Sequence, residues 1–274
     1  MNNRFGYFAQ KIGMVVFLIT LMVLISACDT FFKPFSTEEP DLGISASGVN
    51  ADNIDSLVNQ AAGSKKQSKQ LVKILAEKLA DLDIPLEERQ AYSKAAVTAA
   101  VNSSGIMDSI SSGIQSMIEG ATSGDTGSAF NGLLSPLLQS TSDISEALTS
   151  LKGSNENYDN LDLSTTLESD DGVLSVLLLS MGGIIGAAGD KPPETISEMK
   201  DLSNDALNPE STGYQFAKKA VSDMKDKTLT EPLTVAGMDI SEMVTDFDAI
   251  FNPPPPPPEG EIPEDEIPEE IPEE

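Results

Sequence analysis

Histidine and tryptophan are absent from this 274-residue chain, and cysteine occurs once, at position 28. Without histidine, Ser-His-Asp and Cys-His nucleophilic arrangements have no base. A single cysteine excludes an internal disulfide, Cys/His zinc sites and c-type haem attachment. Aromatic residues make up only 5% of the chain. Apolar positions are filled by Leu, Ile, Val, Ala and Met, a palette that suits closely packed helices and suits sheets poorly. Positive charge is scarce too: 17 Lys and Arg stand against 44 Asp and Glu, a net charge of −27. Nucleic-acid backbones need clustered cations, and an anionic lipid surface repels such a chain, so neither is an expected partner through charge. Catalysis here would run on carboxylates, Ser/Lys pairs or a hard cation, and the composition points to a protein that is not an enzyme and carries no cofactor.

What is present begins at the N-terminus. Arg4 and Lys11 precede an apolar run from Met14 to Ile25, which closes on Ser26, Ala27 and Cys28. A basic start, an apolar centre and small residues at the cut are the layout of a secretory signal peptide. The last four residues, Ile25-Ser26-Ala27-Cys28, resemble the lipobox of bacterial lipoproteins. The resemblance implies that the Cys28 sulfur takes a diacylglycerol, that the peptide is cut after Ala27, and that the new N-terminus is acylated. Several acyl chains, each methylene contributing roughly 0.8 kcal/mol when buried, make a stable anchor. The competing reading is an uncleaved membrane helix. The run is short of the roughly 20 residues that a span needs, and no basic cluster follows it. Asp29 follows the cysteine. In many two-membrane bacteria that residue keeps a lipoprotein on the outer face of the inner membrane, the alternatives being the outer membrane or the cell surface. Removing residues 1–27 removes two basic residues, leaving 15 against 44 acidic ones, a net charge of −29.

The organisation expected from the sequence is a signal peptide (1–27), a lipidated linker (28–48), an all-α helical domain (49–252) and a Pro/Glu-rich tail (253–274). In the linker, Phe31, Phe32 and Phe35 crowd Lys33 beside the anchor. They read either as rings dipping into the membrane interface or as incidental residues of a tether. Leu71, Ile74, Leu75, Leu79 and Leu82 recur at helical spacing, opposite Lys69, Lys73, Glu77 and Asp81. Pro85, Glu87 and Glu88 mark a helix start, Ala91, Ala95 and Ala99 a close-packing stripe, and Gly105 a stop. Ile106, Ile110, Ile114, Met117 and Ile118 predict a short helix ending at Gly120, before a Gly/Ser/Thr loop at 122–128. Two short helices fit 129–139 and 143–152, with Pro136 inside the first. Residues 153–171 read as a long exposed loop. Segment 172–189 is uncharged and apolar, and its Gly182 and Gly186 have the spacing of tightly packed membrane helices. Acids at both ends favour a core helix there. Helices also fit 195–206, opened by Thr195 and Glu198 at capping-box spacing, 214–227 and 236–250. No period-2 strand stands out. The fold class is therefore an all-α, irregular multi-helix bundle.

Several motifs carry chemistry on paper. Ser197/Lys200 and Ser222/Lys225 resemble the S-x-x-K pair of penicillin-recognising serine enzymes, but the companion K-T-G and S-D-N words are missing. Asp125-Thr126-Gly127-Ser128 resembles the active-site word of aspartic proteases, which need two copies; here there is one. Asn155, Asn157 and Asp159 imitate a calcium loop whose sixth position is Asn160 rather than Gly and whose twelfth is Thr166 rather than Glu. A loose echo, Ile-Ser-Glu-Met at 196 and 240 and Val-Ser-Asp-Met at 221, has no fixed period and does not make a solenoid. The tail has six consecutive prolines and Glu-Ile-Pro-Glu units at 261–264, 266–269 and 270–273, with nine acids and no cation after Pro258. It is not expected to fold alone, and it reads as an extended spacer or as a segment recognised by another envelope protein. The reading is a lipid-anchored cell-envelope protein with a structural or protein-interacting role. The alternative is a ligand-binding lipoprotein with an apolar pocket between its helices. Mass spectrometry of the membrane-extracted chain tests the anchor: the parent is expected to begin at Cys28 and to carry acyl chains that Cys28→Ala lacks, whereas a parent chain with its first residues intact is an uncleaved membrane helix.

Overall fold

The computed structural model describes residues 41–110, 126–235 and 237–253, with side chains in the second stretch from Phe130 onward. Cys28, residues 1–40, Ile114 to Asp125 and the tail from Pro254 lie outside the described residues. Among the described residues the fold is an all-α multi-helix bundle. Its helices are α1 (Ile54–Ala61), α2 (Lys65–Leu79), α3 (Leu86–Ser104), α4 (Ile106–Ser109), α5 (Thr126–Lys152), α6 (Asp170–Ala187), α7 (Ile196–Lys200), α8 (Thr212–Thr228) and α9 (Ser241–Phe251). A two-stranded antiparallel ribbon, β1 (Thr234–Val235) and β2 (Met238–Asp239), precedes α9.

Helix α6 is the centre of the bundle, flanked by α5 and α8 and touched by α3; α2 and α5 pack on α3, and α9 packs on α8. Every residue from Val176 to Ile185 is buried. A helix apolar all round is stable in water only when protein surrounds it. It is the one helix among the described residues long and apolar enough to cross a membrane by length and composition, and most of it is buried within the bundle. The Ser180 hydroxyl inside it donates to the Val176 carbonyl at 2.7 Å, so the core carries no orphan there.

The close approach that lets α8 reach α6 falls on a different glycine from those that the sequence spacing marked. A Cβ on Gly183 would stand 2.6 Å from the Gly213 carbonyl oxygen, and one on Gly213 2.6 Å from the Gly183 oxygen. Gly182 meets Ile144 of α5, while Gly186 is exposed and would meet only the Thr141 methyl at 3.4 Å.

Helix ends follow local chemistry closely. Ser64, Ser169, Thr195 and Ser211 each accept a hydrogen bond from an amide in the first turn of α2, α6, α7 and α8. Glu198 reaches back to the Glu194 amide at 2.8 Å, one residue earlier than a strict capping box requires. Pro85 caps α3 ahead of Glu87 and Glu88, and Gly105 ends it at φ 65°.

Several expectations need correction. The helix expected over 195–206 is α7 alone (Ile196–Lys200), followed by a separate 3-10 turn at Asn204–Ala206. The two helices around Pro136 are one, α5, because Phe130, Leu133, Leu137, Ile144, Leu148 and Leu151 form one buried stripe through the proline. The residue four before Pro136, whose carbonyl faces its ring, is Gly132. The loop after α5 is not exposed throughout: Tyr158, Leu161, Leu163 and Leu167 are buried, and residues 166–168 form a 3-10 turn. The helix expected from 236 begins at Ser241, since Thr234–Val235 and Met238–Asp239 pair as the ribbon, with Gly237 at φ 78°. Leu82 lies past the end of α2 and is 67% exposed. The last linker residues join the domain as well: Leu42 is buried and its amide donates to Gln70 Oε1 at 2.7 Å.

Gly183→Ala and Gly213→Ala in the mature chain are each expected to cost about 1–3 kcal/mol or more, because backbone rather than a side chain must move. Gly186→Ala is expected to be neutral or to stabilise by up to about 1 kcal/mol through helix propensity. Urea unfolding midpoints of the three variants check both statements.

Candidate functional site

The most elaborate polar arrangement is a cleft of about 460 Å³ between α3, the loop after α5, and α8. Helix α8 supplies Lys219, Asp223, Asp226 and Lys227 at spacings of three and four, which puts them on neighbouring ridges of one face. The loop supplies Asp159, Asp162 and Ser164, and α3 supplies Arg89. The loop holds its shape through buried anchors. The Tyr158 hydroxyl donates to the Leu148 carbonyl at 2.8 Å, and its ring stands edge-on to Phe216, centroids 5.3 Å apart. Burial pushes that hydroxyl far above the usual tyrosine range, so it stays a neutral donor. The Asp162 amide donates to Ser93 Oγ of α3 at 2.9 Å, and its carboxylate accepts from the Ser164 amide at 3.0 Å and hydroxyl at 2.6 Å.

Asp223 is ion-paired with Lys219, each side chain 25% exposed. Burial raises the Asp223 pKa above its ordinary value; Lys219 opposes the shift, and Asp162 and Asp226 add to it. Desolvation therefore outweighs the ion pair, as partial burial of a carboxylate leads one to expect. Arg89 donates from Nη2 to the Leu82 carbonyl at 3.0 Å, while its Nε is buried without a partner. Lys227 is tied to Glu231. With Lys219 and Lys227 engaged, the cleft presents one guanidinium and three carboxylates, Asp159, Asp162 and Asp226. Large apolar residues flank this charge. The Leu82 carbonyl accepts from Arg89, Leu86 is three residues before Arg89 on α3, and Leu229 adjoins the lining residue Thr230; the three leucines are 67%, 63% and 76% exposed.

The motifs singled out in the sequence fall elsewhere. Ser197 and Ser222 are exposed, and their lysines turn away from them, Lys200 to Asp246 at 2.6 Å and Lys225 to Thr245 Oγ1 at 2.8 Å. The polar groups of the calcium-like loop satisfy one another: Asn157 bonds Asp159 at 2.6 Å, and Asn160 donates to Asn155 at 3.3 Å. Thr126, Gly127 and Ser128 open α5, and Asp125 lies outside the described residues. The echoed Ile/Val and Met pairs at 196/199, 221/224 and 240/243 are core residues. Among the described residues no three His, Cys, Asp or Glu side chains are grouped to hold a metal. The K-x-x-x-D-x-x-D-K spacing of α8 was a legible signal for its share of the cleft; Arg89 and Asp162 meet it only through the tertiary fold. Comparison of the chain with protein-family models, with curated proteins and with solved structures gave no match.

A carboxyl whose native pKa lies above its unfolded value stabilises the fold while protonated, and that contribution is lost as pH rises from the unfolded value of 3.8 through the native one. Asp223→Asn, which mimics the neutral form, is therefore expected to be more stable than the wild-type chain at pH 7. The gain should shrink to nothing as pH falls below 3.8. Denaturant midpoints measured across that window check it.

Proposed function

We propose that this chain is a lipid-anchored protein of a bacterial cell envelope, held outside the cytoplasm through Cys28, whose role is protein interaction rather than catalysis. The lipobox resemblance supports the anchor, and Asp29 favours the outer face of an inner membrane. The observation that carries the interacting role is the set of exposed leucines, Leu82, Leu86 and Leu229, flanking a charged cleft. Single exposed leucines need no explanation, but three that adjoin residues lining one concave, charged feature give it the mixture of apolar and polar neighbours typical of a contact surface. The tail from Pro253 offers a second contact segment.

A second reading, a ligand-binding lipoprotein, draws on the same cleft. Its volume of about 460 Å³ lies in the range of small-molecule sites. Its lining favours a polar ligand over the apolar one expected between helices, since none of the clefts described around α2, α3 and α8 is lined by α6.

Cross-linking and affinity purification from native membranes test the proposal, using Cys28→Ala as the unanchored control and a chain stopped after Asn252 to remove the tail. Leu86→Ser and Leu229→Ser are expected to leave stability within about 0.5 kcal/mol, as exposed substitutions do, yet to lose the partner recovered with the parent chain. Recovery that depends only on the tail places the contact there. No partner in any sample, together with a polar molecule retained in native mass spectra, favours the ligand-binding reading.

A further inference from the structure

Helix α2 departs from the charge of the rest of the chain. It holds Lys65, Lys66, Lys69, Lys73 and Lys78 against a single acid, Glu77, in a mature chain with only 15 cations. Lys65 pairs with Asp143 at 3.2 Å, Lys66 with Asp41 at 2.8 Å, and Lys69 with Glu146. Lys73 is exposed and has no ion-pair or hydrogen-bond partner among the described residues. It stands on a ridge between two clefts. One, of about 530 Å³, is lined by Asp41, Gly43, Ile44, Gln70 and Ile74; the other, of about 490 Å³, includes Lys69, Glu146 and Thr149. Ile44 and Ile74 are only partly buried at the edge of the core. The feature is thus a cation without an ion pair beside a notch where Ile44 and Ile74 are joined by Asp41, which is paired with Lys66, and Gln70, with Glu77 on the other side of the lysine.

We infer that the notch and Lys73 take the chain's own C-terminal segment, one Glu-Ile-Pro-Glu unit at a time. The chemistry matches in kind and in spacing. A polyproline helix has three residues per turn at about 3.1 Å each, so the two glutamates of a unit share one face roughly 9 Å apart while the isoleucine projects to the side. Such a unit sets carboxylates beside Lys73 and an isoleucine between Ile44 and Ile74. The segment repeats it three times, at 261–264, 266–269 and 270–273, with no cation to compete.

The end of the described chain is tied by packing to the wall of one of these clefts. Phe251 of α9 stacks edge-on against Tyr214, centroids 5.3 Å apart. Two residues earlier on α8, the Thr212 hydroxyl is 3.2 Å from that of Thr149, which lines the same cleft as Lys73. From Pro254 to Ile262, the nearest isoleucine, an extended chain covers about 25 Å at roughly 3.1 Å per residue, and the remaining units reach further. The contact is intramolecular, so a short linker raises the effective concentration to the millimolar range and a weak contact is enough.

Lysine labelling and zero-length amine–carboxylate cross-linking of the full lipidated chain in detergent test this. Expected results are cross-links from Lys73 to Glu261–Glu274 within one chain and a Lys73 labelling rate that rises about twofold to fourfold when the chain stops after Asn252, as a half- to three-quarters-occupied contact implies. Lys94, exposed on α3, should label at one rate throughout. Salt at about 0.5 M should mimic the truncation, and so should Glu261, Glu264, Glu269 and Glu270 changed together to Gln, a variant that leaves the helical domain untouched. Equal labelling of Lys73 with and without the tail overturns the inference. Cross-links found only between two chains also overturn it, and assign the segment to a neighbouring copy.

Discussion

The backbones of α6 and α8 meet at Gly183 and Gly213 with no room for a side chain on either residue, and much else is positioned by that crossing. It brings the aromatic and alanine face of α8 (Phe216, Ala217, Ala220) down onto the apolar helix, so that α6 is enclosed rather than left with a bare flank. Enclosure decides the character of segment 172–189. The same run of Leu, Val, Ile and Gly would suit a bilayer by composition, but here its neighbours are protein. Interior packing at this density tolerates little displacement. A shift of α8 by one added methyl would therefore pass on to everything it carries, including Tyr214 against Phe251 and the charged ridge from Lys219 to Lys227.

The loop after α5 is the second structure that depends on α8. Its polar composition hides four buried apolar residues, and the Tyr158 ring sits against Phe216 while its hydroxyl satisfies a carbonyl of α5. A tyrosine does both jobs because it joins a large apolar surface to one hydrogen-bonding tip. Pinning the loop at that point and again at Ser93 places Asp162 near Asp223, whose pKa is raised first by burial and then by repulsion from Asp162 and from Asp226 of the same helix. The cleft is therefore a product of packing. Its carboxylates line one feature because apolar anchors hold the loop that carries two of them.

These origins explain what the sequence revealed and what it hid. The limits of α3 were legible because Pro85, the first-turn glutamates and Gly105 act within a few residues of themselves. The continuity of α5 was not. Pro136 and the polar run Gln139-Ser140-Thr141-Ser142-Asp143 look like a break, although the seven-residue recurrence of Phe130, Leu137, Ile144 and Leu151 runs straight through them. Tertiary burial of that stripe outweighed the local cost of the proline. The ribbon at 234–239 is too short to show a period of two, and Gly237 was its only local mark. The glycine pair was misplaced for a related reason: spacing along one helix identifies small residues, but only the partner helix decides which of them is used. Half of the charged cleft could be read from α8, whereas Arg89 and Asp162, 73 positions apart, are joined only by the fold.

The flanking leucines and the proposed lipid anchor make more sense together than apart. Fully burying a leucine contributes roughly 1.5–3 kcal/mol, so three of them supply on the order of 5–9 kcal/mol at best. Association from free solution costs an estimated 4–15 kcal/mol in lost freedom alone. A surface of this size would bind weakly between soluble molecules, and the net negative charge of the chain would slow its approach to most other acidic proteins. Anchoring both partners to one membrane changes the comparison, because confinement raises the effective concentration of each for the other without adding a contact. A modest apolar rim then suffices, and its modesty keeps a chain of net charge −29 soluble above the bilayer. On this argument the proposed lipid would do more than set an address: it would make the proposed interface of three leucines strong enough to be used.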